Sequence, residues 1–534
     1  MPPGQNVTPD ASSAAAHRNR LAWSTAIFAL ATGLSRILGL VREVVAAYYF
    51  GVAGKINAFT VAFQIPNLVR ALVADAALSS AFVPVFSELL EKGDRKRAWR
   101  VASTVFWLML LGLGGLTALF ILLAPLLMRP FHPVDLNLSV GLSRLLFPIV
   151  TLLGVSGIVV GILNSYEHFS VPALTPVFWN LAIIAGLAIG VPHAGTEDAK
   201  LYVYAGAILA GTVIQVLLPI PWLRGRDDRL RMVIDWRDPA VAQTFKLMIP
   251  VTLGLGLINV NAVVDTLFAS RLIDRDLAPA AIDKAFRLYM LPQGMFSVAI
   301  ATVLFPSLAR LSARRDMDGF RHTVGLGIRQ IAFLLVPASV ISAVLAEPIV
   351  RLVYQRGAFH PGQTPVVAAA LAAFSAGLTF NGTMLMLNRA FFSLQSNWIP
   401  TWVALGNLFV NGVLDAVFYR FGIWGIPLAT SVVNIAGTAV LLVLLRRRLG
   451  RIEAGETASA TVRIVIASAV LGAVAFALWY ALDRAFGRSF PAQLLSVGAA
   501  LVASTGAYLI CCRLLGVQET RALLSLRDRF RKAS

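Results

Sequence analysis

Long apolar runs recur along the entire 534-residue chain, which is 57% hydrophobic and only 14% charged. A run of about 20 apolar residues is long enough to cross a bilayer as a helix. Because backbone groups in lipid must bond within their own segment, these runs predict an all-α polytopic membrane protein. We count about fourteen transmembrane helices, at approximately 22–50, 57–88, 101–127, 137–164, 171–191, 201–222, 243–271, 285–309, 324–354, 364–392, 398–419, 422–445, 461–483 and 490–515.

The formal net charge is +19, and the basic residues cluster in alternate connections between the runs. No nucleic-acid motif accompanies them, so we expect no nucleic-acid partner. The positive-inside rule explains the alternation and predicts that both termini are cytoplasmic. The basic connections are Lys92–Arg100, Arg224–Arg237, Arg310–Arg321 and Arg446–Arg451.

An internal repeat divides the chain. Pro84 is followed ten residues later by Asp94, and Pro306 is followed ten residues later by Asp316, a spacing of about 222 residues. Leu163-Asn164 similarly resembles Leu387-Asn388. We therefore predict two pseudo-symmetric six-helix lobes plus two C-terminal helices, the layout expected of an alternating-access carrier. The predicted parts are a disordered cytoplasmic N-terminus (1–20), an N-lobe (21–223), a C-lobe (240–448), a helix pair (460–516) and a basic cytoplasmic tail (517–534).

Charged residues interrupt several apolar runs. Arg36, Arg42 and Glu43 lie in the first run, Arg70 and Asp75 in the second, and Arg287 in the eighth. A charge at the bilayer centre costs about 3 kcal/mol, so it usually faces a wet cavity. Four arginines against two acids favour an anionic ligand, because guanidinium forks match phosphate oxygens. Two alternatives remain open: snorkelling of the first pair, and internal ion pairs of Arg70 with Glu43 or of Arg42 with Asp75.

Acids and amides in two later runs suggest a different chemistry. Asp265 follows Asn259 and Asn261 in the seventh run, and Asn411 and Asp415 are spaced i, i+4 in the eleventh. With Thr430 from the twelfth, these oxygens suit a hard cation or a proton. The alternative is that either acid is protonated or paired with an arginine. No Walker sequence is present, which argues against an ATP-driven pump. The histidines lack metal-ligand spacing and the carboxylates form no catalytic cluster, which argues against an enzyme.

The first two runs resemble the MurJ/MviN family of bacterial lipid II flippases. The resemblance extends over essentially the whole chain, and these flippases belong to the multidrug/oligosaccharidyl-lipid/polysaccharide exporter superfamily. The motifs that carry it are Ser35-Arg36-Ile37-Leu38-Gly39-Leu40-Val41-Arg42-Glu43, Phe50-Gly51, Asn57-Ala58-Phe59, Pro66-Asn67-Leu68-Val69-Arg70 and Ser79-Ser80-Ala81-Phe82-Val83-Pro84.

The resemblance implies roles for individual residues. Arg36, Arg42, Arg70 and Arg287 would line a central cavity and engage the diphosphate and sugar head group, and Ser35, Glu43, Asn57 and Asp75 join our predicted substrate-binding set. In some members a sodium ion binds the C-lobe, and the matching residues are Asp265, Asn411, Asp415 and Thr430. The last two helices would form a groove for the lipid tail. Asn57 departs from the family pattern, where an aspartate is common.

We therefore expect a transporter, in the bacterial inner membrane, that flips undecaprenyl-diphosphate-linked peptidoglycan precursor by alternating access. Lipid II and membrane lipid are the expected partners, together with cell-wall synthesis proteins, and Na⁺ is the candidate coupling ion. An exporter of another lipid-linked oligosaccharide, or a multidrug/cation antiporter of the same superfamily, remains an alternative. A more distant alternative is a membrane-embedded enzyme acting on lipid-linked sugars.

Overall fold

The computed structural model describes residues 11–73, 77–396, 398–450 and 454–520. These residues form helices joined by short turns, with no strand among them. Eleven helical segments of this part of the chain are long and apolar enough to cross a membrane. The predicted all-α polytopic fold is thereby confirmed, whereas the number fourteen stays a prediction.

The first of two compact units comprises the described residues of Met1–Ala46, Ala62–Arg129 and Asp135–Asn259. Its core is aromatic and aliphatic: Phe82 and Phe86 stack with ring centroids 5.2 Å apart and pack with Trp99, Ile158 and Ile162. The helices in this half of the sequence are α1 (Ala11–Phe50), α2 (Ile56–Val73), α3 (Ala77–Glu91), α4 (Arg95–Met128), α5 (Leu136–Leu146), α6 (Pro148–Ser165), α7 (Ser170–Ala185), α8 (Val191–His193), α9 (Glu197–Leu217) and α10 (Pro239–Phe268).

The second unit comprises Ala47–Val61, Pro130–Val134 and the described residues of Val260–Ser534. Tyr508 donates a hydrogen bond to the Phe333 carbonyl at 2.7 Å and packs beside the buried, unbridged Cys512. The helices after α10 are α11 (Ala278–Pro292), α12 (Val298–Ala313), α13 (Met317–Val344), α14 (Ala346–Tyr354), α15 (Thr364–Ser375), α16 (Leu378–Ser393), α17 (Trp398–Phe418), α18 (Gly425–Leu449), α19 (Ala454–Phe486) and α20 (Phe490–Leu514). The predicted domain limits stay predictions.

The repeat is visible in the turns that follow α3 and α12. Asp94 caps α4 by accepting from the Arg97 amide, and Asp316 caps α13 by accepting from the Gly319 amide. The backbone amide of each aspartate also donates to a carbonyl five residues earlier, Leu89 in one turn and Leu311 in the other. These bonds form the same helix-ending motif 222 residues apart. The backbone supports the duplication that the sequence predicts here.

A second pair of turns corrects one sequence match. The amide of His168 bonds the Leu163 carbonyl after α6, and that of Ser396 bonds the Phe391 carbonyl after α16. The equivalent of Leu163 is therefore Phe391, one helical turn beyond the Leu387 that sequence comparison pairs with it. One turn is about four residues, so an apolar helix gives a similar pattern in either register.

Among the described residues, three segments form π-helical turns. Gly186–Gly190 follows α7, Ala269–Ile273 follows α10, and Gln293–Ser297 joins α11 to α12 directly after Pro292. Proline lacks an amide hydrogen and disrupts the regular ladder, which favours such a turn.

Candidate functional site

Arg42 lies on α1 within the first unit and is mostly buried. Its side chain is 12% exposed, and its Nη2 donates to Glu43 Oε1 at 2.7 Å. The guanidinium carbon lies 4.7 Å from the centroid of the Trp179 ring, a cation-π arrangement. Arg42 Nε is buried without a partner in the described part of the chain. This N–H of the guanidinium is therefore unsatisfied, and a ligand would reach it only after the surrounding side chains move.

Asn180 on α7 holds this arrangement together. Its Oδ1 accepts from Arg42 Nη1 at 3.2 Å, and its Nδ2 donates to the Ser35 carbonyl at 3.3 Å. Its Nδ2 also donates to the Pro176 carbonyl of its own helix at 2.9 Å. Asn180 thus fixes Arg42 and the backbone of the predicted Ser35 at once. In the sequence, Asn180 and Trp179 gave no signal of this contact because they are far from α1 along the chain.

The other predicted residues of this unit differ in their surroundings. Arg36 is exposed, whereas Arg70 is half-buried and donates from Nε and Nη2 to Asn67 Oδ1 at 3.2 and 3.0 Å. Asp75 lies outside the described residues. The structure therefore brings Ser35, Arg42 and Glu43 together. The carboxylate that pairs with Arg42 belongs to Glu43, the next residue in the sequence. From the sequence alone, Asp75 was the candidate partner of Arg42.

Arg287 belongs to α11 in the second unit and faces an acid that sequence reasoning missed. Its Nη2 donates to Asp283 Oδ1 at 3.1 Å, and its side chain is 38% exposed. The i, i+4 spacing of Asp283 and Arg287 was a readable signal for this pair. The charge of Arg287 is therefore partly balanced by the Asp283 carboxylate on the same helix.

Asn57, predicted to bind substrate, is fully buried at a backbone junction of the second unit. Its Nδ2 lies 3.0, 3.1 and 2.6 Å from the carbonyl oxygens of Val52, Gly54 and Asp276. Its Oδ1 accepts from the Ala280 amide at 2.8 Å, in the first turn of α11. The structure thus gives this side chain four backbone contacts that join the turn before α2 to the start of α11.

Three of the four predicted cation residues, Asp265, Asn411 and Asp415, come together on α10 and α17 of the second unit. Asn411 Nδ2 lies 2.8 Å from both Asp265 Oδ1 and Asp415 Oδ2. Asn261 Nδ2 lies 3.3 Å from Asp265 Oδ2. Two carboxylates held by one amide repel each other unless a proton or cation compensates. This geometry brings together acids that are 150 residues apart in sequence.

The oxygens of this cluster fit a hard cation. Asn411 Oδ1 and Asp415 Oδ1 are both buried and without a partner among the described residues. Carboxylate and amide oxygens are the donors that such ions prefer. Thr430, on α18, donates to the Ile426 carbonyl at 3.4 Å, so its hydroxyl oxygen retains accepting capacity. No group of three His, Cys, Asp or Glu residues suited to a metal occurs in the described part.

Taken separately, the two units present different chemistry. The first offers a mostly buried guanidinium that is paired with Glu43 and held by an amide and a ring, which suits recognition of an anion. The second offers paired acids with unpartnered oxygens, which suits a cation or a proton.

Comparison with known families gives one consistent result. Residues 46–495 match the family model described as Lipid II flippase MurJ. A Vibrio cholerae protein named Probable lipid II flippase MurJ is 32% identical over 441 residues, covering 79% of this chain and 82% of the relative. The Burkholderia cenocepacia protein named Lipid II flippase MurJ is 30% identical over 437 residues, covering 78% and 82%.

Solved structures agree on the fold. The structure of Lipid II flippase MurJ in an inward closed conformation aligns with a TM-score of 0.75 at 25% identity, covering 91% of this chain and 99% of that one. An inward-facing multidrug resistance MATE family transporter of the MOP superfamily aligns with a TM-score of 0.67 at 16% identity, covering 78% and 95%. The second likeness concerns the fold alone.

Proposed function

Because the chain belongs to the MurJ family of lipid II flippases, we propose that it translocates lipid II from the cytoplasmic to the outer leaflet of the bacterial inner membrane. The protein is a multi-pass membrane transporter, not an enzyme. The family match supports the substrate class, and the structure supports one role within it. The observation that carries this role is the mostly buried Arg42, whose Nε has no partner among the described residues.

The proposed ligand of Arg42 is the diphosphate of lipid II. Glu43 balances the charge of the guanidinium, while Trp179 and Asn180 fix its plane. A guanidinium held in one orientation loses little entropy when it binds phosphate oxygens. Arg36, Arg70 and Arg287 are the further arginines that we propose for the head group, and Ser35 lies beside Asn180.

The proposed cycle is alternating access, as in other carriers with internal repeats. An inside-negative membrane potential favours outward movement of an anionic head group, by about 2.3 kcal/mol per charge per 100 mV. The same potential favours inward return of a cation. We propose that the two cytoplasmic termini and the basic connections fix this orientation.

Sodium is the proposed coupling ion, held by Asp265, Asn411, Asp415 and Thr430. The unpartnered oxygens of Asn411 and Asp415 support this assignment. A proton shared by the two acids is the competing assignment. Sodium should raise the thermal midpoint of the purified protein, whereas Asp415→Asn should abolish that increase. An equal increase with potassium, or with the variant, would contradict a sodium site.

The test of function is complementation of a MurJ-depleted strain. Arg42→Ala is expected to abolish growth while the protein still inserts into the membrane. Arg129→Ala removes an exposed arginine and serves as the matched control. Normal growth with Arg42→Ala would count against the proposed role of Arg42.

The substrate itself needs a separate readout. Native mass spectrometry of the purified wild-type protein should show a co-purifying lipid-linked diphosphate of the mass of lipid II. Co-purification of a different lipid-linked oligosaccharide would overturn the substrate assignment and leave the family membership intact. Cross-linking in cells would test the proposed cell-wall synthesis partners.

A further inference from the structure

A polar cleft lies where α19 begins and α20 has ended, in the second unit. It has a volume of about 270 Å³ and is separate from the residues proposed for the diphosphate and for sodium. Its charged lining comes from three parts of the chain. The charged and hydroxyl residues that line it are Arg329, Glu456, Ser459, Arg463 and Glu519.

Glu519 provides the central observation. Its side chain is 6% exposed, and Oε1 accepts from Arg329 Nε at 3.2 Å. Oε2 is buried, and no group in the described part of the chain donates to it. Leaving a buried carboxylate oxygen without a donor destabilises the folded protein. The cleft therefore calls for a ligand that carries an N–H or O–H donor.

Arg463 provides the opposite charge at the opening of the cleft. The residue is exposed, and its Nη1 lies 3.8 Å from the place that a Cβ on Gly516 would occupy. A Cβ at that distance would only touch the guanidinium, so the φ of 69° at Gly516, and not crowding, explains the glycine. Besides the exposed acid Glu456, the cleft thus combines a buried acceptor with an accessible cation, and the last two groups are the complement of a zwitterion.

The location of the cleft points to a lipid. α19 is part of the candidate membrane span Gly455–Phe486, and α20 is the candidate span Phe490–Leu514. The cleft lies at the beginning of the first span and just after the end of the second, at the level where a bilayer places its head groups. A ligand with a charged head and apolar chains would reach the cleft from the membrane.

We propose that this cleft binds the head group of a phospholipid with a primary amine, as in phosphatidylethanolamine. The ammonium group donates to Glu519 Oε2, and the phosphate pairs with Arg463. Phosphatidylcholine lacks the N–H donor, because its nitrogen is quaternary. Phosphatidylglycerol has hydroxyl donors but lacks the cationic group that would meet the Glu519 carboxylate. The proposed ligand of this cleft is a phospholipid head group, whereas the predicted groove of the same two helices would take the lipid tail of the substrate.

The experiment is a lipid titration of the delipidated full-length protein, followed by native mass spectrometry. Phosphatidylethanolamine, its N-methyl and N,N-dimethyl derivatives, phosphatidylcholine and phosphatidylglycerol are added with identical acyl chains. Phosphatidylethanolamine should bind about tenfold more tightly than phosphatidylcholine, the factor that one hydrogen bond to a charged group contributes. Affinity should remain with the two partly methylated lipids, which keep an N–H, and drop at the trimethylated one.

Two variants locate the effect. Arg463→Ala should weaken phosphatidylethanolamine binding severalfold, whereas Arg513→Ala, an exposed arginine at the end of α20 outside the cleft, should not. Glu519→Gln should remove the discrimination between the primary and quaternary amines. If Glu519→Gln fails to fold, the methylation series and Arg463→Ala still test the proposed lipid site.

Three results would overturn the proposal. The first is equal affinity for phosphatidylethanolamine and phosphatidylcholine, the result expected if water alone satisfies Oε2. The second is preference for phosphatidylglycerol, which would make the cleft a simple anion site. The third is equal weakening by Arg463→Ala and Arg513→Ala, which would indicate a general effect of surface charge.

Discussion

Asn180 Oδ1 accepts a hydrogen bond from Arg42 Nη1 at 3.2 Å, although 138 residues separate the two in sequence. The same amide donates to the backbone of Ser35 on α1. One side chain on α7 thereby sets both the position of the arginine and the path of the helix that carries it. The amide adds no charge of its own, so the charge of Arg42 is balanced by Glu43 alone among the contacts described for it.

Asn180→Leu is expected to lower lipid II flipping about tenfold, because a hydrogen bond to a charged group is worth about 1.5 kcal/mol or more. The measurement is the fraction of lipid II accessible from outside intact cells. Asn137→Leu, at an exposed asparagine of α5, is the control and should leave flipping unchanged. A variant at position 180 that flips at the wild-type rate would show that Arg42 does not need this support.

Asn57→Ala is expected to lower the free energy of unfolding by about 1–3 kcal/mol, since buried carbonyls and the Ala280 amide lose their partner. Asn57→Asp keeps the acceptor for Ala280 but cannot donate to the carbonyls, so it should also destabilise. The measurement is the thermal midpoint in detergent. Thr60→Ala, one turn along α2, removes a single local bond and should have a much smaller effect. Equal midpoints for the two alanine variants would refute the junction role of Asn57.

Arg315→Gly is expected to stabilise the protein by about 1 kcal/mol, because Arg315 has φ 57° and glycine adopts that region without a Cβ clash. The equivalent position in the first unit is Gly93, with φ 77°. Gly93→Ala should destabilise by a similar amount, since its Cβ would meet open space and only the backbone is strained. Thermal midpoints of both variants provide the check. A shift of the same sign in both would contradict the equivalence of the two turns.

Stability should depend on pH through Asp238, just before α10. Arg97 donates to both of its carboxylate oxygens at 2.9 Å and holds the pKa of Asp238 below its ordinary value. A lowered pKa in the folded state adds stability that is present at neutral pH and is lost as pH falls through the folded-state value. The thermal midpoint of Asp238→Asn should therefore lie below that of the wild type at pH 7.

The difference between Asp238→Asn and the wild type should shrink below about pH 4, where unfolded aspartates also become protonated. Asp318→Asn, whose carboxylate is 92% exposed, is the control and should show little difference at either pH. A difference for Asp238→Asn that is constant from pH 7 to pH 3 would point to lost packing instead of the ion pair.

Local pattern predicted a substantial part of this structure. Apolar run length gave the membrane helices, and the ten-residue Pro84–Asp94 spacing located a turn that recurs in the second unit. The i, i+4 pair Asn411 and Asp415 is within one helix, so spacing alone was enough to place the two side chains together.

Contacts between distant segments were beyond such reasoning. The ring of Trp179 over Arg42, and the pairing of Arg329 with Glu519, depend on how helices pack. Apolar helices offer many near-equivalent registers, as the one-turn error at Leu387 illustrates. The pair of Asp283 and Arg287 is a different case, because both lie on one helix and their i, i+4 spacing predicts the contact. Asp283 is absent from the site residues predicted from the sequence.

Because of the π-helical turn at Gln293–Ser297, a regular helical wheel does not describe the whole span that contains Arg287. One extra residue in a turn rotates everything after it by roughly 100°. The side chains of α12 therefore point in different directions around the helix axis from those expected if α11 and α12 formed one regular α-helix. Removing a single residue from that turn would reorient the whole downstream face while leaving composition and hydropathy essentially untouched.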